Sequence, residues 1–341
     1  MRMHDSIVSI ASIASILGGC ADPSAKPIEI EGMEIDVGEL RFRARTAGPE
    51  AGPVVVLLHG FPATSRGFEP LMLRIAAAGF RAVAPDLRGY SPGARPADDS
   101  DYALTSVASD VPGLADALGA STVHVVGHDW GAAVAWVAAA LHPDRVATLT
   151  AISIPHPEAL RVAMLDPASG QREASAYTEV LRRDGAEVEL LANDAELLRM
   201  FYGDDPRDGA ADVYGVDVAT GPSVPDDIAQ DYLDVLSDPT TLSAALAYYR
   251  VNWGALESAA ISLESLRVQS PTLQLWGDRD FSVTRAAAEG SGRFVEGPYA
   301  FEILPTGHFI PETASEALSD AVLRHLEDNP TSANDETTDD E

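Results

Sequence analysis

The stretch Val123–Ala132, VHVVGHDWGA, constrains this chain more than any other. An apolar run ends in Gly127-His128-Asp129-Trp130-Gly131, and a run of small residues, AAVAWVAAAL, follows at once. A glycine two residues before and two residues after a polar side chain describes a sharp strand-to-helix turn. Such a turn lifts its central side chain into a cleft. Gly127 and Gly131 let strand and helix approach where a Cβ would clash. The central residue is Asp129, not serine. A carboxylate forms a covalent ester by attacking an sp3 carbon, so the expected substrate is an epoxide or an alkyl halide.

The chain around this turn alternates strands and helices. Ile28–Val37 and Glu39–Arg45 read as a strand pair joined at Gly38. Val54–His59, Arg81–Pro85, Val123–Gly127 and Val146–Ser153 read as further strands. Continuous apolar runs such as VVVLL suit strands buried on both faces, and helices fall between them, one of them ending near Gly119 and kinked or opened by Pro112. A mostly parallel sheet covered on both sides is therefore expected. The rhythm changes over residues 155–265, which are rich in charge, amphipathic and without buried β runs; the pattern predicts an inserted α-helical lid with helices over Arg172–Arg183, Ala186–Tyr202, Asp226–Leu236 and Thr241–Val251. It resumes with Pro271–Gly277, Tyr299–Leu304 and a last helix over Glu312–Leu326. The expected division is therefore a core over 28–154 and 266–326, the lid between them, and an acidic, unanchored tail over 327–341.

Two features lie outside this core. A formal net charge of −30 repels polyanions, so neither nucleic acid nor an anionic bilayer surface is expected as a partner. Residues 1–20 hold Arg2, an apolar run from Ile7 to Leu17, and Leu17-Gly18-Gly19-Cys20. The run is too short to span a bilayer, which takes about 20 residues, but fits a signal-peptide core of about 7–15. It resembles a bacterial lipoprotein signal, implying a lipid on Cys20, attachment to the cell envelope and a linker over 21–27. An apolar leader without a lipid, on a cytoplasmic protein, is the competing reading. A single cysteine excludes an internal disulfide and any multi-cysteine metal site, and the 8 histidines form no H-E-x-x-H cluster, so no zinc site is expected. Oligomeric state is not legible.

Turns of this type take their catalytic groups in the order nucleophile, acid, histidine. Trp276-Gly277-Asp278-Arg279-Asp280-Phe281 follows one predicted strand, and Pro305-Thr306-Gly307-His308-Phe309 follows the last. Asp280, at the commoner spacing from Gly277, is the expected acid, with Asp278 as competitor. It would orient His308, which draws a proton from water. His59-Gly60-Phe61-Pro62 follows the central strand, and the backbone N–H groups of Phe61 and Trp130 are the expected oxyanion hole. His59, Phe61, Pro62, Trp130 and Phe309 are expected around the substrate.

HGFP, DLRGY (Asp86–Tyr90), GHDWG, WGDRD and GHF together resemble the α/β-hydrolase superfamily, and specifically its epoxide hydrolase branch, over about residues 28–326. The resemblance implies a two-step reaction on a small apolar epoxide, giving a vicinal diol and needing no metal or organic cofactor. It also implies two lid tyrosines that hydrogen-bond the ring oxygen. Tyr249, in Ala247-Tyr248-Tyr249-Arg250, matches the branch's Tyr-Arg pair, and Tyr177 is the candidate for the other. Haloalkane dehalogenases share Asp129, His308 and Trp130, and fluoroacetate dehalogenases share HGFP. Phe61 stands where the former usually place a polar residue. Trp130, Ala132 and Ala133 stand where the latter place arginines. A binding lipoprotein of the same fold, without catalysis, is the remaining alternative.

Overall fold

A computed structural model describes residues 27–203, 210–218, 221–258 and 265–331. The leader with Cys20, most of the linker and the tail from residue 332 lie outside the described residues. Eight strands form one sheet: β1 (Glu31–Val37), β2 (Leu40–Ala47), β3 (Val54–Leu58), β4 (Arg81–Pro85), β5 (Val123–His128), β6 (Val146–Ile152), β7 (Thr272–Gly277) and β8 (Tyr299–Leu304). Their order is β1-β2-β4-β3-β5-β6-β7-β8. β1 and β2 pair antiparallel, as do β2 and β4, and the remaining pairs are parallel.

The two-sided burial read from the apolar runs is explicit in β3, where all five residues are buried. Alternation splits them between two cores. Val54, Val56 and Leu58 belong to the core shared with the helix Trp130–Leu141. Val55 and Leu57 belong to the core shared with the helices Glu69–Ala77 and Ser315–Asp328. The chain leaves β3 for β4 on one side and returns to β5 on the other. This reversal opens a crevice at the carboxyl ends of β3 and β5, where parallel sheets of this kind hold ligands.

The turn after β5 sits in that crevice. Asp129 has φ 51° and ψ −123°, a conformation that costs a non-glycine residue about 1–3 kcal/mol. It persists because its surroundings leave no slack: a Cβ on Gly131 would lie 1.9 Å from the Leu58 carbonyl oxygen, and one on Gly127 would lie 2.3 Å from that of Gly131.

Several element boundaries differ from the sequence reading. The expected helix ending near Gly119 is two, Leu104–Ala108 and Asp110–Ala117, and Pro112 lies in the first turn of the second, where no N–H is needed. Between β6 and β7 the described elements are all helical. A helix at Pro157–Leu165 was not anticipated, and one expected helix over Arg172–Arg183 is two short ones, Gln171–Ala174 and Thr178–Leu181. The helix Ala186–Arg199 is interrupted at Ala192–Ala195, where Asn193, Asp194 and Ala195 take positive φ. Asp226–Leu236 is a helix over the residues the pattern marks, and Pro239–Ser258 extends the one read at Thr241–Val251. Among the described residues, no helix is long and apolar enough to cross a membrane.

Candidate active site

Three loops at the carboxyl ends of β3, β5 and β7, and a fourth after β8, converge on Asp129. The backbone N–H of Phe61 donates to Asp129 Oδ1 at 2.8 Å, so one amide of the expected pair lies against this carboxylate. That approach needs Gly60, where a Cβ would lie 2.3 Å from the Asp129 side chain. Trp130 opens the helix Trp130–Leu141, so its N–H has no acceptor within the helix.

His308 Nε2 lies 3.5 Å from Asp129 Oδ2, and its Nδ1 lies 3.0 Å from Asp280 Oδ2. The competing acid, Asp278, is exposed and pairs with Arg279 at 3.5 Å. Asp280 is held from behind by the Ser282 amide (2.8 Å) and hydroxyl (2.9 Å) and by the Val283 amide (3.2 Å). The Ser282 Oγ is also 3.0 Å from His308 Nδ1. Burial pushes the Asp280 carboxyl up, but the His308 imidazole and these hydrogen bonds outweigh it and hold the pKa below the ordinary carboxylate range. Burial pulls His308 down, yet the charge of Asp280 and the hydrogen bonds to Asp129 and Asp280 prevail, and its pKa is pushed up to about 10. Two buried carboxylates thus share one imidazolium.

The sequence reading missed the residues that fix this histidine. His128 Nε2 donates to the His308 carbonyl at 2.9 Å, and Ser153 Oγ donates to the same oxygen at 3.1 Å. Burial pulls His128 down to about 4, which keeps it neutral. Gln171 bonds the Ser282 carbonyl through Nε2 (2.7 Å) and the Thr284 amide through Oε1 (2.9 Å), anchoring the acid loop to the helical segment. Ser282 stands two residues beyond Asp280, which was the one sequence signal for it; the others are brought close only by the fold.

A cavity with about 500 Å³ of empty space, part of it open to solvent, borders Asp129. Tyr177 and Tyr249 line it, their rings 6.4 Å apart. Burial raises both phenols well above their ordinary pKa, and the Asp129 charge adds to this, so both keep their protons. Three other tyrosines are committed elsewhere. Tyr202 donates to the Pro62 carbonyl (2.6 Å), Tyr232 to Glu312 (2.6 Å) and Tyr248 to the Arg88 carbonyl (3.0 Å).

Of the five residues expected around the substrate, Trp130 lines this cavity. His59 is a brace: its Nδ1 bonds the Gly60 carbonyl at 3.0 Å while Nε2 accepts from the Leu87 amide at 3.0 Å, joining the HGFP loop to DLRGY. Phe61 packs on Phe201 and Tyr249, Pro62 is held through its carbonyl by Tyr202, and Phe309 packs on His308, His128 and Tyr202. A motif names the loop and not which way its side chains turn. Among the described residues there is no cluster of three or more metal-ligating side chains.

A profile of the alpha/beta hydrolase fold matches residues 53–315. Epoxide hydrolase A of Mycobacterium tuberculosis is 30% identical over 312 residues, covering 86% of this chain and 96% of that one. Among solved structures, epoxide hydrolase A of Mycobacterium thermoresistibile superposes with a TM-score of 0.74 at 26% identity, over 89% of this chain and all of its own. Epoxide hydrolase VrEH1 of Vigna radiata gives 0.72 at 25%, over 88% of this chain and 98% of its own. The chain belongs to the α/β-hydrolase fold family, in its epoxide hydrolase-like branch, and is an enzyme.

The buried charge arrangement makes a prediction. A folded pKa of about 10 exceeds the ordinary histidine value of about 6.5, so the imidazolium contributes stability that is complete below that lower value. It is lost as pH rises through the upper one. Urea melts should show stability falling between those limits, and His308→Gln should flatten the slope. Equal slopes in both proteins would contradict the assignment.

Proposed function

We propose that this enzyme hydrolyses small apolar epoxides to vicinal diols through a covalent ester on Asp129. The observation that carries the reading is the pairing, across one cavity, of a buried carboxylate with two protonated phenols. Asp129, steadied by the Phe61 amide, attacks one ring carbon from behind. Tyr249 and Tyr177 donate to the opposing oxygen as the C–O bond breaks, which suits groups that keep their protons at neutral pH. Esterification neutralises Asp129 and removes one of the two carboxylates that hold the proton on His308. The imidazole then gives its Nε2 proton to the alkoxide oxygen freed by ring opening and becomes a base. It takes a proton from water as the water oxygen adds to the ester carbonyl. Collapse of that tetrahedral centre breaks the bond to the alkyl oxygen, which takes the proton back and leaves as the diol. The Asp129 carboxyl returns its own proton to His308. The amides of Phe61 and Trp130 stabilise the oxyanion, and Asp280 keeps the Nδ1 proton in place. The segment over 155–265 acts as the lid that carries both phenols. No cofactor is required for either step.

In His308→Gln the first step should survive and the second stall, so mass spectrometry should find the chain heavier by one styrene oxide, the increment mapping to Asp129. Asp129→Ala should lower diol formation by about 10⁴-fold or more, and show no adduct. Bromide release from 1-bromobutane without diol from styrene oxide would reverse the reading in favour of a dehalogenase.

We also propose that the chain is attached to the cell envelope through a lipid on Cys20, a reading supported by the residues before that cysteine. Labelled fatty acid should be incorporated by the wild-type chain and not by Cys20→Ser. An unlabelled wild-type chain would exclude the anchor.

A further inference from the structure

Much of the wall of the cavity beside Asp129 is apolar, from Leu104, Ala133, Ile154, Leu160, Trp253 and Leu256. Between the loops that follow β3 and β7, against the two phenols and His308, aromatic rings fill the space. Phe201 is at their centre: its ring lies 6.1 Å from that of Phe61, 6.2 Å from Tyr177, 4.9 Å from Tyr214 and 6.2 Å from Phe281. Phe281 in turn lies 5.2 Å from His308, and Phe61 lies 5.5 Å from Tyr249. Phe201 and Phe61 are each 3% exposed and Phe281 8%, and none of the three borders the cavity. Nor is Phe201 free to swing away. The next residue, Tyr202, is tied by its hydroxyl to the Pro62 carbonyl at 2.6 Å and by its carbonyl to the Val224 amide at 3.0 Å.

An epoxide held with its oxygen on the two phenols and one carbon over Asp129 points the substituents of its two carbons in divergent directions. A terminal epoxide needs room on one side of the ring. A trans-disubstituted epoxide needs room on both. We infer that the site takes terminal epoxides bearing one apolar substituent, and that Phe201 is the residue excluding a second; the inference rests on the epoxide reading above. Close-packed rings yield little to an inserted alkyl group, because repacking them displaces neighbours already in contact.

The test compares 1,2-epoxyhexane with its isomer trans-2,3-epoxyhexane, which has the same atoms and differs in where they lie. Wild-type kcat/KM should favour the terminal epoxide by about 100-fold, the scale on which pockets discriminate by shape. In Phe201→Ala that ratio should fall by about tenfold or more, through faster turnover of the trans isomer. Phe201→Leu, a smaller change in the packed cluster, should move it in the same direction, with thermal melts confirming that each variant is folded. A wild-type ratio near unity, or a ratio unchanged in a folded variant, overturns the inference while leaving the epoxide reading intact. Hydrolysis of neither isomer by the wild-type enzyme overturns both.

Discussion

The structure depends on a carboxylate held where the backbone does not relax. Asp129 sits at positive φ between a strand buried on both faces and a helix whose second residue lies against the β3 carbonyls. The packing of two cores against the sheet sustains this local cost, since neither strand nor helix can withdraw without opening both. Placing the side chain there has an electrostatic consequence. Asp129 and Asp280 reach the same imidazole from opposite edges, in a site from which water is largely excluded, and together they retain its proton.

That arrangement gives the proposed mechanism its timing. An imidazolium between two carboxylates is a poor base, and it becomes a better one when one carboxylate turns into a neutral ester. Formation of the intermediate and activation of the group that hydrolyses it are therefore linked through one charge, with no movement of the backbone needed. The helical segment supplies the complementary half. It places two phenols at the cavity while three other tyrosines fasten it to the core at Pro62, Arg88 and Glu312. The residues that shape the cavity and those that hold the segment down are thus chemically alike and differ only in what their hydroxyls meet.

What the sequence revealed followed from how local each signal is. Strands buried on both faces leave uninterrupted apolar runs, and the order of turn, acid and histidine follows from topology, so the sheet and Asp129, Asp280 and His308 were legible. Asp226–Leu236 was legible because its apolar stripe is regular. The break at Ala192–Ala195 was not, although Asn193 and Asp194 are residues that tolerate positive φ, because the residues on either side favour helix. The cavity walls were largely invisible. Leu160 and Trp253 carry no motif and reach Asp129 only through the docking of Pro157–Leu165 and Pro239–Ser258. His128 and Ser153 were missed for a related reason: each acts on the His308 carbonyl, a contact between positions 155 or more residues apart.

The central claim is that Asp129 itself becomes bonded to the substrate and gives up one of its own oxygens. A single turnover in heavy-oxygen water, with enzyme in excess over epoxide, tests this most directly. The account predicts a diol free of solvent label and heavy oxygen in the side chain at position 129, read by peptide mass spectrometry. Solvent oxygen in the diol of that first turnover, with none at position 129, would contradict it.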